Sequence, residues 1–303
     1  MKNFTIVGLT VLCVAVFSFQ GNQVAKFQKK TGFEFIPSGA LEVDGKTNSI
    51  AAFMMLNHEV TNAEYRQFIK EAYLAQGDLL GAEAMLPDTN AWKDTSKLNG
   101  YNGFMDPFAN LYYSHPAYQN YPVVNVSVEN AQAYCVWLGK KLAAAFPDYA
   151  TIQMRLPLKE EWIYAAKGGL KSSPYPWGGP YVRDSKGTYL ANFYTVGEHN
   201  ITRDEKGGPK IISRENYRVS PINIEMSHFS LAVAKSYLPN GYGLYNMAGN
   251  AAELVVGDVA CAMGGHWLSY GYDIQVTSAM EFYDPNPFVG FRPVFTYSKK
   301  TKN

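Results

Sequence analysis

The sequence predicts one loop-rich domain with a few well-separated helices, and neither a helical bundle nor a doubly wound sheet. Three observations point there. Glycine (26) and proline (16) punctuate the whole chain. Two long stretches, 77–121 and 171–241, read as irregular, and connections of that length suit neither architecture. No internal repeat and no Ser-, Gly- or Pro-rich linker interrupts the chain, so one domain over 27–298 is the simplest division of its 303 residues.

Three helices carry local signals. Thr61-Asn62-Ala63-Glu64 has the form of a capping box, in which Glu64 returns a bond to the Thr61 amide. Tyr65, Phe68, Ile69, Ala72 and Tyr73 follow at helical spacing and make one apolar stripe. Ser127 caps a second helix whose buried face is Ala131, Tyr134, Cys135, Leu138 and Leu142. A third, shorter helix is expected over Leu158–Ala166, with Pro157 at its entry and Gly168-Gly169 closing it.

Composition narrows function by exclusion. Lys plus Arg (27) nearly balances Asp plus Glu (26), which leaves no global field to draw in nucleic acid or an anionic membrane. An apolar fraction of 47% excludes a mainly disordered chain, and three Cys cannot build a disulfide framework. Lys2 followed by the apolar run from Phe4 to Phe19 has the order of a secretory leader, assigned to 1–21; the run is too short to span a bilayer. The exported chain keeps Cys135 and Cys261, which either pair in an oxidising compartment or leave Cys135 as a small apolar core residue. The tail 299–303 reads as a solvated basic end. Membrane association is expected only through partners or an uncleaved leader.

Seven groups of residues occur in a telling order. They begin with Glu59-Val60-Thr61-Asn62-Ala63-Glu64-Tyr65, then Tyr121-Pro122-Val123-Val124-Asn125-Val126-Ser127 with Ala133-Tyr134-Cys135-Val136-Trp137. Arg155-Leu156-Pro157 leads to Glu161-Trp162 and Tyr164-Ala165-Ala166, and Tyr175-Pro176-Trp177-Gly178 follows. The run from Asn240 to Asn250, the pair Gly264-Gly265, and Gly290-Phe291-Arg292 complete the series. Together they resemble the formylglycine-generating enzyme (sulfatase-modifying factor) family. The resemblance implies an α+β fold related to C-type lectins, with much irregular backbone. Leu86-Pro87-Asp88-Thr89 with Trp92, then Asn110-Leu111-Tyr112-Tyr113 and His115-Pro116-Ala117-Tyr118, is similar to the branch found in gliding-motility and type IX secretion proteins. That likeness implies an exported, periplasmic or outer-membrane-associated protein whose partners are envelope or secretion-machinery proteins.

An oxidase of this family holds Cu(I) with two thiolates, because that ion needs soft sulfur ligands. After Gly264-Gly265 this chain carries Ser269 and Ile274 in those two places, with His266 where a small hydroxyl residue belongs. The resemblance therefore implies no catalytic residues and no enzyme. His58, His115, His199, His228 and His266 show no metal-pair spacing, and Glu160 and Glu161, adjacent on a helix, point apart. What the resemblance does preserve is a calcium loop, with the side chains of Asn246 and Glu253 and the carbonyls of Gly249 and Ala251 as hard oxygen ligands. A second calcium site would use the carbonyls of Asn192 and Phe193 with an acidic partner among Asp204, Glu205 and Glu215.

What remains is recognition. Tyr and Trp suit interfaces because they give large contact area at small rotamer cost. Trp92, Tyr112 and Tyr113 of the stretch 86–121, with Trp267 and Tyr270 of the loop after Gly265, are the residues expected to meet a partner protein. The alternative is that these rings pack the irregular stretch onto its own body. Three classes stand: a structural or adaptor component of an exported assembly, of the type IX secretion or gliding kind; a carbohydrate-binding module; and an oxidase with a rebuilt metal site.

Overall fold

The computed structural model describes residues 27–93, 106–147, 149–195, 201–211, 230–257 and 259–299. The expected leader over 1–21 and residues 300–303 lie outside them, and Lys299 ends a strand instead of opening a free tail.

After a helical turn over 27–31, four strands follow: β1 (Phe33–Ile36), β2 (Gly39–Val43), β3 (Lys46–Ile50) and β4 (Phe53–Leu56). Next come α1 (Asn62–Ala72), α2 (Leu79–Ala84), α3 (Asp106–Leu111), α4 (Val128–Ala145), β5 (Tyr149–Arg155) and α5 (Lys159–Ala166). The chain then forms β6 (Ile201–Arg203), β7 (Pro209–Ile211), β8 (Ala252–Val255), β9 (Cys261–Met263), β10 (Ala279–Glu281), β11 (Val289–Gly290) and β12 (Val294–Lys299). Helices and mostly antiparallel strands are segregated along the chain, which is the α+β class expected. Among the described residues no helix is long and apolar enough to cross a membrane.

One sheet has the order β1-β4-β12-β5 and a second β10-β9-β8-β11, in which β11 alone runs parallel to its neighbour; β2-β3 and β6-β7 are separate hairpins. Period-two alternation divides the first sheet between two cores. Phe33, Met54, Leu56 and Phe295 face α1 and α4, meeting Tyr65, Phe68, Tyr134 and Cys135. Ile36, Phe53, Met55 and Val294 face the other way, toward Trp162 and Ile163 of α5 and Leu41 and Ile50 of the β2-β3 hairpin. β4 is therefore buried along its full length, as a strand covered on both faces must be.

The capping box at Thr61 is present with both reciprocal bonds, and Ser127 accepts from the Asn130 amide at 3.1 Å. Leu138 is only half-buried, while Ala131, Tyr134, Cys135 and Leu142 are buried as expected. α5 starts after Leu158, whose amide donates to Glu161 Oε2 at 2.9 Å. The stretch 77–121 is less irregular than its sequence suggests, since it holds α2, α3 and single 3-10 turns at Thr89–Lys93 and Pro116–Tyr118. Pieces of six residues or fewer complete too few turns to print an apolar repeat. Cys135 and Cys261 are both free thiols; Cys135 sits in the core, and burial pushes its thiol well up.

Candidate functional site

β8 is flanked by β9 and β11, which leaves its second residue, Glu253, without any solvent contact. Two residues past β11, Arg292 donates to it from Nη2 to Oε1 at 2.6 Å and from Nε to Oε2 at 2.9 Å. Trp162 Nε1 on α5 adds a third bond to Oε2 at 2.7 Å. Arg292 also donates to the Leu56 carbonyl (3.0 Å) and the Tyr245 carbonyl (2.7 Å), so one guanidinium ties together β4, β8 and the loop before β8. A planar fork with five donors can do this; an ammonium cannot.

A second buried carboxylate lies alongside. Glu59 accepts from Asn250 Nδ2 at 2.7 Å and from Asn246 Nδ2 at 3.2 and 3.3 Å. Burial pushes its carboxyl up to about 8, with Arg292 opposing and Glu253 adding to the rise. Two carboxylates thus share one guanidinium, and with both ionised the cluster is one positive charge short. Asn246 Oδ1, buried at the same place, has no hydrogen-bond partner among the described residues.

The loop that supplies these amides turns through left-handed backbone at Asn246 (φ 53), Gly249 (φ 71) and Asn250 (φ 64). Asn tolerates that region and glycine prefers it. A Cβ on Gly249 would also stand 2.2 Å from the Asn192 carbonyl, so the spacing of the run is set by how closely it passes its neighbour. Asn250 Oδ1 accepts from the Ala232 amide (2.7 Å) and Asn192 Nδ2 (3.1 Å), locking the loop to a third segment.

These groups test the calcium expectation residue by residue. Asn246 Oδ1 fits, being a buried hard oxygen without a hydrogen-bond partner among the described residues, beside a carboxyl that adds negative charge once Glu59 ionises near pH 8. Glu253 fits less simply, because Arg292 and Trp162 already occupy both of its oxygens, so a cation there would have to share them. At the second expected site, the Asn192 carbonyl accepts from the Asn250 amide at 2.7 Å, and the Phe193 ring is buried against Tyr189. Asp204 turns its carboxylate onto its own hairpin, accepting from the Lys206 and Gly208 amides, while Glu215 lies outside the described residues. Among the described residues no three His, Cys, Asp or Glu side chains converge as a metal cluster.

Next to this cluster is a cleft of about 710 Å³ lined by His266, Ser269, Tyr270, Tyr272, Asp273 and Phe288, among others. Gly265 (φ 67) folds its floor back so closely that a Cβ would lie 2.4 Å from the Asp273 carbonyl. Ser269 Oγ accepts from the His266 amide at 3.0 Å, and the Leu268 amide donates to His266 Nδ1 at 3.1 Å. That bond fixes Nδ1 as the acceptor and leaves the proton of the neutral ring on Nε2. The ring stacks on Phe288 with centroids 4.4 Å apart, and desolvation lowers its pKa to about 4. Ile274 does not line the cleft; it is fully buried with Tyr175, Tyr189 and Phe193.

Burial removes three of the five aromatics expected to face a partner. Trp92, Tyr112 and Trp267 are each only 2% exposed. Trp92 packs between Phe108 and Tyr112, Tyr112 donates to the Pro122 carbonyl at 2.6 Å, and Trp267 donates to the Pro287 carbonyl at 3.2 Å. These rings fasten loops to the body, because a large ring supplies most of the burial that a short irregular segment can find. Tyr113 is half-buried, and Tyr270 keeps 42% exposure at the cleft mouth beside Tyr272 at 77%. Sequence reasoning missed Glu59, Trp162, Asn250 and Arg292 as a cluster. All four stand in the motifs quoted above, but nothing in their spacing shows that they converge.

These features define an α+β domain with a buried carboxylate–guanidinium cluster and a separate cleft lined by aromatic rings. Residues 22–297 match the family described as sulfatase-modifying factor enzyme 1-like domain, and the chain belongs to that family. It is 29% identical over 225 residues to the formylglycine-generating enzyme of Bos taurus, covering 70% of this chain and 50% of that protein. It is 27% identical over 249 residues to the inactive C-alpha-formylglycine-generating enzyme 2 of the same organism, covering 73% of this chain and 69% of that protein. The chain thus spans about half the length of the first of these relatives. Among solved structures, Treponema denticola variable protein 1 superposes with a TM-score of 0.53 at 18% identity, over 86% of this chain and 94% of that one, a likeness of fold.

Proposed function

We propose that this protein is a non-enzymatic member of its family, serving as a structural or adaptor component of an exported assembly of the type IX secretion or gliding-motility kind. The observation that carries the reading is the pair Ser269 and Ile274. A hydroxyl already bonded to the His266 amide and a side chain buried in an apolar cluster offer no soft ligand where the family resemblance expects two thiolates. Neither remaining cysteine lines the cleft: Cys135 belongs to α4 and Cys261 to β9. One relative is itself named inactive, which favours the same reading. Structural calcium, held by Asn246 Oδ1 and the Gly249 and Ala251 carbonyls with Glu253 sharing its charge, would supply the positive charge the buried cluster lacks when Glu59 ionises.

The deciding experiment measures Cu(I) binding and the conversion of cysteine to aldehyde in a peptide substrate, using the full chain. We expect neither; stoichiometric copper with turnover would overturn the proposal. A carbohydrate-binding function is the second reading, favoured by the exposed Tyr270 and Tyr272 rings beside Asp273 in the cleft. Saturable, Tyr272-dependent retention on a glycan array would establish it over the adaptor.

A further inference from the structure

A second depression lies away from the cleft, on the outer side of α1. It has a volume of about 560 Å³ and is walled by Arg66, Ile69 and Lys70 of α1, by Leu74 and Leu86, and by Tyr113. The segment that forms its far wall, residues 73–86, is firmly anchored. Tyr65 Oη donates to the Met85 carbonyl at 3.0 Å and Asn130 Nδ2 to the Ala84 carbonyl at 3.2 Å, while the Asp78 amide closes a turn within the segment on the Tyr73 carbonyl at 3.1 Å. The groove is therefore preformed and does not need a ligand to shape it.

Its chemistry is unusual for a surface. Leu74 and Leu86 are nearly half exposed, and Leu79 and Leu80 between them are 70% and 80% exposed, so one short segment shows four leucines to solvent. Clusters of this kind mark contact surfaces, whereas isolated exposed leucines are ordinary. The α1 wall adds positive charge. Lys70 is exposed and has no ion-pair partner among the described residues, while its neighbour Glu71 is taken by Lys141 at 2.9 Å. Arg66 spends one donor on the Tyr113 carbonyl and lies over the Tyr113 ring, 5.8 Å from its centroid, with no ion-pair partner among the described residues. Nearby Asp78 is occupied in capping the Gly81 amide at 2.8 Å.

We propose that this groove is a docking site for a short amphipathic segment of a partner protein, with large apolar side chains entering between Leu74, Leu86 and Tyr113 and acidic residues meeting Lys70 and Arg66. Apolar walls demand apolar anchors, and two cations on one wall without ion-pair partners among the described residues select for carboxylates over lysines or arginines. A bilayer is a poorer occupant, because a concave pocket of finite width accepts single side chains and not a flat sheet of lipid. The site rests on the recognition reading given above and specifies where and what the adaptor would bind.

A random library of short peptides displayed on phage, panned against the immobilised full chain, tests it. Enriched peptides are expected to carry two or more large apolar residues accompanied by Asp or Glu. Resynthesised with a fluorophore, they should bind about tenfold or more weakly to Leu86→Asp and to Lys70→Glu, both exposed positions whose variants should keep the wild-type melting temperature. Leu238→Ser, a substitution at another exposed leucine, should leave binding unchanged. Panning Lys70→Glu should shift the enriched charge toward Lys and Arg. No enrichment, or peptides indifferent to both groove variants, overturns the proposal. So does a dimer or an association with anionic vesicles that Leu86→Asp abolishes, since either would make a second copy or lipid the occupant. Peptides that map to Tyr272 instead would remove the groove yet leave the recognition function standing, whereas copper-dependent turnover would remove that function itself.

Discussion

Arg292 and Glu253 form a two-point ion pair with neither side chain reaching solvent, closed by Trp162 on the second carboxylate oxygen. Such pairs are poor sources of net stability, yet breaking one strands a buried charge at a cost of about 3–5 kcal/mol. Arg292→Met should therefore destabilise the domain by about that much in urea titrations. Arg292→Lys should fail to rescue it, since one ammonium cannot serve Glu253, Leu56 and Tyr245 in the plane they share.

The second carboxylate predicts a pH dependence. Glu59 in the folded protein sits near 8, against an ordinary value of 4.5. Between those values the folded state holds a proton that the unfolded chain has released. Its contribution to stability is thus complete below about 4.5 and is lost as pH rises through about 8. Melting temperatures measured in chelator should fall from pH 6.5 to 8.5. Glu59→Gln, which stays neutral, should flatten that decline.

Calcium bound beside this cluster would relieve the same imbalance, with the opposite pH dependence. At pH 8, where Glu59 ionises, a bound cation would replace the missing proton, and a hundredfold excess over its dissociation constant would add about 2.7 kcal/mol. Thermal shifts with calcium should be larger at pH 8 than at pH 6 and should vanish in Asn246→Ala, which deletes the orphaned Oδ1. A shift unchanged by that substitution would assign the ion to another place.

What was legible in the sequence divides along a physical line. Thr61 and Ser127 announced their helices because a cap and the stripe behind it are local, governed by neighbours within one or two turns. The α+β class was reached through ordered motifs, and the two faces of β4 show why periodicity alone did not suffice: Phe53-Met54-Met55-Leu56 is apolar throughout, so its alternation between two cores leaves no polar mark. The site was half legible. Asn246 and Glu253 stood out through the family resemblance, but Glu59 and Arg292, 187 and 39 positions from their respective partners Asn246 and Glu253, meet them only through sheet topology. The aromatic rings misled for another reason, since composition reports how many rings exist and not which of them the loops use as anchors.

Trp92 makes that last distinction measurable. Its ring is stacked on Phe108 at 5.3 Å and buried, and its Nε1 lies 2.8 Å from the Asn125 side-chain amide. Trp92→Ala should cost about 3–5 kcal/mol by leaving a cavity, with any loss of partner binding following from loss of fold. Tyr272→Ala, at an exposed ring, should change stability by less than about 0.5 kcal/mol, so a binding defect there would be direct.

His266 supplies the opposite pH limb. Burial against Phe288 holds the folded imidazole near 4, below the ordinary 6.5, so between these values the unfolded chain takes up a proton that the folded one refuses. Stability from this residue is complete above about 6.5 and is lost as pH falls toward 4. His266→Asn should keep an acceptor for the Leu268 amide, because Asn Oδ1 stands close to where Nδ1 was, while abolishing the titration. Denaturant midpoints between pH 4 and 6.5 should then slope less steeply in the variant than in the wild type. Imidazole nitrogen shifts of the wild type should show the neutral ring with its proton on Nε2 near pH 6.5, giving way to the doubly protonated ring only as pH approaches 4. A ring that titrates at its ordinary value, with no change of slope in the variant, would mean that the cleft floor is open to water and that His266 is free to rotate within it.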